Sequence, residues 1–294
     1  MLLRLFRSEF RRSGPAYEVH NDGVPILNKD MSLCISLAAR PSNYGTRFHN
    51  FLYDEIGLNF IYKAFTTTNI IDAIAGVRAL GIRGCSVSMP FKEAVIPLVD
   101  ELEESAAAID SVNTIVNTDG RLAAANTDYE AVVQLLKNHQ LDTSMSVLVR
   151  GSGGMAKAVI AAFRGAGFDD LTIVARNAEA GQAIADRYDY RAVTDDPAPG
   201  HDLLVNVTPL GMQGADAQTL SFSEAHIGAA QQIFDVVALP AETPLIRAAQ
   251  SANVPTISGS EVFALQAAGQ FKRYTGVELT QDQIGRAAAF AREA

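Results

Sequence analysis

From residue 31 onward, short apolar runs alternate with segments whose apolar residues recur at helical spacing. Residues 32–37, 60–65 and 84–88 read as strands. Residues 46–57 carry Phe48, Leu52 and Ile56 on one face, and residues 69–80 align Ile70, Ile74 and Val77, so both predict amphipathic helices. Pro90 breaks the chain, and a helix is expected to start near Lys92. Residues 111–116 and 122–125 flank Asn117-Thr118-Asp119-Gly120, where Asp-Gly marks the tip of a hairpin. A helix is expected over 129–138 and another over 281–294. Further strands are expected at 203–208, 233–237 and 254–257. No internal repeat or low-complexity tract interrupts the alternation. It predicts an α/β protein of two domains with a cleft between them.

One stretch carries chemistry by itself. The apolar run 147–150 stops at Gly151-Ser152-Gly153-Gly154, and an alanine-rich helix follows over 155–166, ended by Gly165 and Gly167. The next strand is 171–174. Glycines at such a turn let a pyrophosphate approach the main chain, and the free N–H groups of the new helix bind the anion. The spacing is not the common G-x-G-x-x-G, and a lone glycine cluster is also what a plain loop looks like. The βαβ context, about 30 residues long, favours a dinucleotide site. No acid follows the second strand; the residues there are Ala175-Arg176-Asn177. An arginine suits a 2′-phosphate through its charge and paired donors, which points to NADP rather than NAD. The other reading of Arg176 is a solvated surface arginine.

Composition narrows the picture. The 294 residues are enough for two domains, and 48% hydrophobic with 19% charged content excludes a disordered chain. A net charge of −9 argues against nucleic-acid binding. Cys34 and Cys85 lie in apolar runs and are expected to be buried thiols of a cytoplasmic protein. No apolar run is long enough to span a bilayer. The five histidines show no ligand spacing, so no metal is expected. Residues 1–30 stand apart, with Arg4, Arg7, Arg11 and Arg12 among Leu and Phe residues. They read as an extension ahead of the folded domains, with Met31 a candidate internal start. A membrane-surface helix is the alternative.

Polar clusters interrupt apolar runs at Ser86-Val87-Ser88-Met89-Pro90-Phe91-Lys92, Ser111-Val112-Asn113-Thr114, Asn126-Thr127-Asp128 and Leu265-Gln266-Ala267-Ala268. Together with G-S-G-G, N-V-T-P-L-G-M at 206–212 and L-Q-A-A-G-Q-F at 265–271, they make the chain resemble the shikimate dehydrogenase family from about residue 32 to its end. The resemblance implies a substrate domain over 31–127, completed by 259–294, and a Rossmann-type NADP-binding domain over 128–258. The two are joined by a hinge. It implies oxidation of the C3 hydroxyl of shikimate, with hydride passing to NADP. The reacting hydroxyl needs a group to accept or relay its proton. By similarity Lys92 and Asp128 form that pair. Read alone, Lys92 fits a surface lysine at a helix start, where a cation opposes the dipole, and Asp128 fits a helix cap.

The same resemblance assigns Ser88, Asn113, Asp128 and Gln266 to the substrate's ring hydroxyls, and the positions of Asn43 and Gly45 to its carboxylate. To the cofactor it assigns Gly151, Ser152, Gly153, Gly154, Met155, Arg176, Asn177, Thr208, Val236 and Gly259. Three departures stand out. Counting back from His49, the family's two carboxylate-binding serines are replaced by Asn43 and Gly45. A tyrosine usual in the segment 235–244 is replaced by Ala238. An arginine usual after Arg176 is replaced by Ala180. With the phrase A-R-P-S-N-Y-G-T-R-F-H-N at 39–50, these place the chain nearer the shikimate dehydrogenase-like branch. They imply slow turnover of shikimate, or a related cyclic hydroxy acid such as quinate or an aminated analogue. A cofactor-binding sensor with little catalysis is the alternative of another class. The expected state is a monomer or homodimer, binding neither nucleic acid nor membrane.

Overall fold

The structure, a computed structural model, describes residues 27–293, so most of the basic N-terminal stretch lies outside the described residues. The first of two six-stranded sheets contains β1 (Ser32–Ala38), β2 (Phe60–Thr66), β3 (Gly84–Val87), β4 (Glu101–Leu102), β5 (Thr114–Thr118) and β6 (Arg121–Ala125). Their order is β2-β1-β3-β5-β6-β4. β1 pairs in parallel with β2 and β3, whereas β5 runs antiparallel to both β3 and β6. The hairpin turns at Asp119 and Gly120, both with positive φ, as an Asp-Gly tip requires. α1 (Tyr44–Ile56) and α2 (Ile70–Ala79) lay their apolar stripes on this sheet, and α3 (Glu104–Ala107) is a single short turn.

The second sheet is wholly parallel: β7 (Val147–Arg150), β8 (Leu171–Val174), β9 (Arg191–Val193), β10 (Leu203–Asn206), β11 (Gln232–Asp235) and β12 (Thr256–Ser258). Their order, β12-β11-β10-β7-β8-β9, reverses between β7 and β10. In open α/β sheets the crevice at that reversal is where ligands bind. Successive residues of β7 face opposite layers. Val147 and Val149 pack under α5 (Gly154–Ala166) and α6 (Ala178–Tyr188), while Leu148 meets α7 (Glu224–Ala229) and α8 (Pro244–Ser251). Two long helices join the sheets. α4 (Thr127–Asn138) starts at the end of β6 and buries Val132 and Leu135 in the second core. α9 (Gly259–Thr275) puts Val262 in that core and Phe271 and Tyr274 in the first. α10 (Gln281–Arg292) packs its alanines on α1.

Most periodic segments form the elements their spacing predicts; several differ. No α-helix starts at Lys92: residues 92–95 form turns and only one 3₁₀ turn follows, Ile96–Leu98. The Lys92 carbonyl instead accepts the Val112 N–H at 2.8 Å, tying the segment to the next loop. The strand expected from residue 111 begins at Thr114, because Ser111 and Val112 turn toward Asn126 and Lys92. Gly165 lies inside α5, and only Gly167, with φ 92°, ends it. The strands expected at 203–208 and 233–237 stop at Asn206 and Asp235, whose side chains bond each other at 2.9 Å and organise the loops beyond. Both cysteines are free and buried, and among the described residues no helix is long and apolar enough to cross a membrane.

Candidate active site

Segments far apart in sequence converge beyond β3 and β6, and Lys157 in the first turn of α5 reaches Glu93 beside them at 2.6 Å. The turn after β3 carries Lys92, and the first turn of α4 carries Asp128. Lys92 Nζ lies 2.5 Å from Asp128 Oδ2, with the side chains 26% and 15% exposed. The pair is therefore shielded on most sides and open on one. Asn126 caps α4 by accepting the Tyr129 N–H at 3.0 Å, which sets the helix start. Asp128 then sits where the helix dipole favours negative charge.

Behind the pair lies a buried polar floor. Asn113 Oδ1 accepts from the Thr127 N–H at 2.8 Å and from the hydroxyls of Thr114 and Thr127 at 2.7 and 3.1 Å. Gln266 Nε2 donates to the Thr127 hydroxyl at 3.4 Å. Asn113 and Gln266 thus meet on the residue that precedes Asp128. Ser88 is exposed on the loop after β3. Its N–H donates to Leu37 O and its carbonyl accepts from Phe91 N–H. Asn43 is exposed at the start of α1 without capping the helix. Gly45 is tight: a Cβ there would stand 3.3 Å from the Tyr62 hydroxyl. Burial raises the pKa of Tyr62, whose hydroxyl has Ser36 and Ser86 as hydrogen-bonding neighbours. Beneath them His49 is fully buried, its ring stacked on Tyr62 at 4.5 Å. Burial pushes its pKa down to about 3, against a smaller opposing effect of Gln270.

The glycine turn is built differently. Gly151 has φ 123°, and a Cβ there would sit 2.9 Å from the side chains of Val207 and Thr208. Only glycine fits that approach of β7 to the loop after β10. Gly153 and Gly154 have nothing within 4 Å of a Cβ position, so the space over the turn is open. Ser152 lies between Gly151 and Gly153, and Met155 is the second residue of α5. Gly153 gives α5 no side-chain cap and its first turn holds no acid, which leaves its N–H groups for an anion. Arg176 is exposed, with no ion pair among the described residues. Asn177 caps α6, accepting the Ala180 N–H at 3.1 Å, so its side chain already has a structural task. Thr208 donates to Asn206 Oδ1 at 2.6 Å. Val236 donates its N–H to Asn206 O at 3.0 Å. Gly259 lets α9 start against the backbone of Val236 and Val237, since a Cβ would meet it at 2.3 Å. A turn open to a pyrophosphate and an unpaired arginine at the end of β8 fit a phosphorylated dinucleotide.

Residues to which the sequence assigned no role complete the site. Thr127, Thr114 and Gln270 form the floor, and Asp235 holds Asn206, Thr243 and the Val237 N–H together. Burial raises the Asp235 pKa, while those donors oppose it. The spacing of Gln266 and Gln270, one helical turn apart, is the signal available in the sequence.

Residues 44–115 match the family model of the shikimate dehydrogenase substrate binding domain. A shikimate dehydrogenase-like protein of Haemophilus influenzae is 55% identical over 268 residues, 91% of this chain and 99% of that one. The shikimate dehydrogenase (NADP(+)) of Chlorobaculum tepidum is 35% identical, across 80% of this chain and 87% of its own. The solved shikimate 5-dehydrogenase of Thermus thermophilus, in complex with NADP(H) and shikimate, superposes with a TM-score of 0.80 at 27% identity. That match covers 89% of this chain and 100% of that one.

Proposed function

Because this chain belongs to the shikimate dehydrogenase family, we propose that it is an NADP-dependent dehydrogenase that interconverts shikimate and 3-dehydroshikimate at C3, with low turnover. The observation that carries this reading is the Lys92–Asp128 contact, largely shielded, with Lys157 in the first turn of α5 bonded to Glu93 next to it. NADP supplies the hydride acceptor when bound. Gly151, Ser152, Gly153, Gly154 and the Met155 N–H would hold its pyrophosphate, and Arg176 its 2′-phosphate. Thr208, Val236 and Gly259 would line the nicotinamide side.

The chain's own residues handle the acid and the proton. Lys92 and Asp128 hold the C3 oxygen, and the hydroxyl proton leaves through this pair as the carbon is oxidised. In the reverse direction the Lys92 ammonium returns a proton to that oxygen. Asn113 and Gln266 orient the other ring hydroxyls, with Ser88 at the rim. The carboxylate end is where this chain differs from the biosynthetic family pattern. Asn43 and Gly45 give it fewer hydroxyl donors, and Ala238 removes another. Slow turnover of shikimate follows, and these same positions favour a related acid such as quinate as the second reading.

The test follows NADPH absorbance with a panel of cyclic hydroxy acids, for the native protein and Lys92→Ala. Shikimate turnover is expected, lowered by about 10²–10⁴-fold in Lys92→Ala with NADPH affinity retained. Equal rates in the two proteins would remove Lys92 from the reaction. Cofactor binding with no turnover of any acid would leave a sensor.

A further inference from the structure

One buried glutamine is left unused by the reaction described above. Gln270 lies on α9 one turn beyond Gln266 and faces the first sheet. Its Nε2 donates to the hydroxyls of Thr114 and Ser86, each at 3.2 Å. A hydroxyl whose oxygen is already accepting has its proton to send elsewhere. Thr114 sends it to Asn113 Oδ1 at 2.7 Å, which also takes the Thr127 N–H and hydroxyl. Asn113 Oδ1 is thereby saturated by the protein, and its Nδ2 makes no hydrogen bond among the described residues. Turning this amide over would face its NH₂ with the Thr127 N–H and strand buried donors. Gln266 is the complement: its Nε2 goes to Thr127, and its Oε1 accepts no hydrogen bond from the described residues.

We propose that Gln270 is a positioning residue that, through Thr114, locks the polarity of the two substrate-facing amides, Asn113 as donor and Gln266 as acceptor. The inference rests on the dehydrogenase reading above and deepens it by naming the substrate class. The ring substituent that faces Asn113 must offer a lone pair, as a hydroxyl does. An ammonium there has none and meets a donor, so an acid aminated at that position is refused. The accepted substrate is a cyclic polyol carboxylate whose ring substituent facing Asn113 is an uncharged hydroxyl.

A double-mutant cycle on the full chain tests this. Gln270→Met keeps the length and removes the amide; Thr114→Val keeps the shape and removes the relay. Each is expected to raise the KM for shikimate about tenfold, with kcat and the KM for NADP little changed. The double variant is expected to match the worse single one, because both break the same chain. Thr114→Ser, which retains the hydroxyl, is expected to restore the KM. Additive losses, or a fall in kcat at constant KM, would overturn the relay. A measurement needing no variant guards against misfolding: turnover of an analogue aminated beside the reacting carbon, compared with shikimate in the native protein. Comparable turnover of the two overturns the polarity lock. Absence of shikimate turnover in a folded native protein instead defeats the dehydrogenase reading.

Discussion

The two walls of the candidate site are made by different means. On the second sheet, the glycine turn is local: β7, the turn and the start of α5 are continuous in sequence, and what they offer is backbone. On the first, the floor around Lys92 and Asp128 is assembled from segments at 86–92, 113–114, 126–128 and 266–270, and what it offers is side chains. A backbone cradle suits a ligand portion common to many enzymes, a phosphate, whose recognition needs N–H groups and space. A side-chain floor suits the portion that must be told apart from its relatives, because each donor or acceptor can be changed alone.

The two walls should therefore fail differently. The largest effect is expected from acid on the side-chain wall. His49 has its pKa held at about 3, well below its unfolded value near 6.5, so the unfolded chain binds a proton that the folded one refuses. Its pH-dependent contribution is fully present above pH 6.5 and is lost as the pH falls from there toward 3, by on the order of 4 kcal/mol. Denaturant titrations across that range should show this slope in the native protein and a flattened one in His49→Leu. An unchanged slope would mean that His49 is not the sensitive group.

Next come the glycines of the backbone wall. Gly151→Ala forces a side chain into φ 123° and against Val207 and Thr208, at a cost of about 1–3 kcal/mol in stability and with weaker NADPH binding. Gly153→Ala has φ −83° and open space, so the thermal midpoint should stay while NADPH binding weakens. Equal stability losses would erase the distinction between a glycine that the fold needs and one that the ligand needs. Smallest is Arg176→Ala, expected to weaken NADPH binding about tenfold and to leave NADH untouched, as read by fluorescence titration. Equal losses for both cofactors would take Arg176 away from the 2′-phosphate.

The same contrast explains what could be read from the chain. The glycine turn was legible without any relative, because strand, turn and helix are adjacent and each follows from local spacing. Lys92, Asn113, Asp128 and Gln266 became legible only through motif order, since nothing in their neighbourhoods says that they meet. Gln270 stands inside one of those motifs, yet its task depends on Ser86 and Thr114, more than 150 positions away in sequence. The helix expected at Lys92 failed for a related reason: its carbonyl is taken by Val112, a bond between loops that periodicity cannot register.

Helix α9 gives the molecule a mechanical property. It begins pressed on the backbone of residues 236–237 through Gly259 and ends with the Tyr274 ring lying where a Cβ on Gly84 would be. At 1.5 Å per residue its 17 residues make a strut about 25 Å long, seated at each end on a glycine. α4 packs along this strut and joins the same two sheets, so any tilt of one half against the other has to carry both helices. Gln266 and Gln270, one turn apart on the strut, keep their spacing through any such tilt.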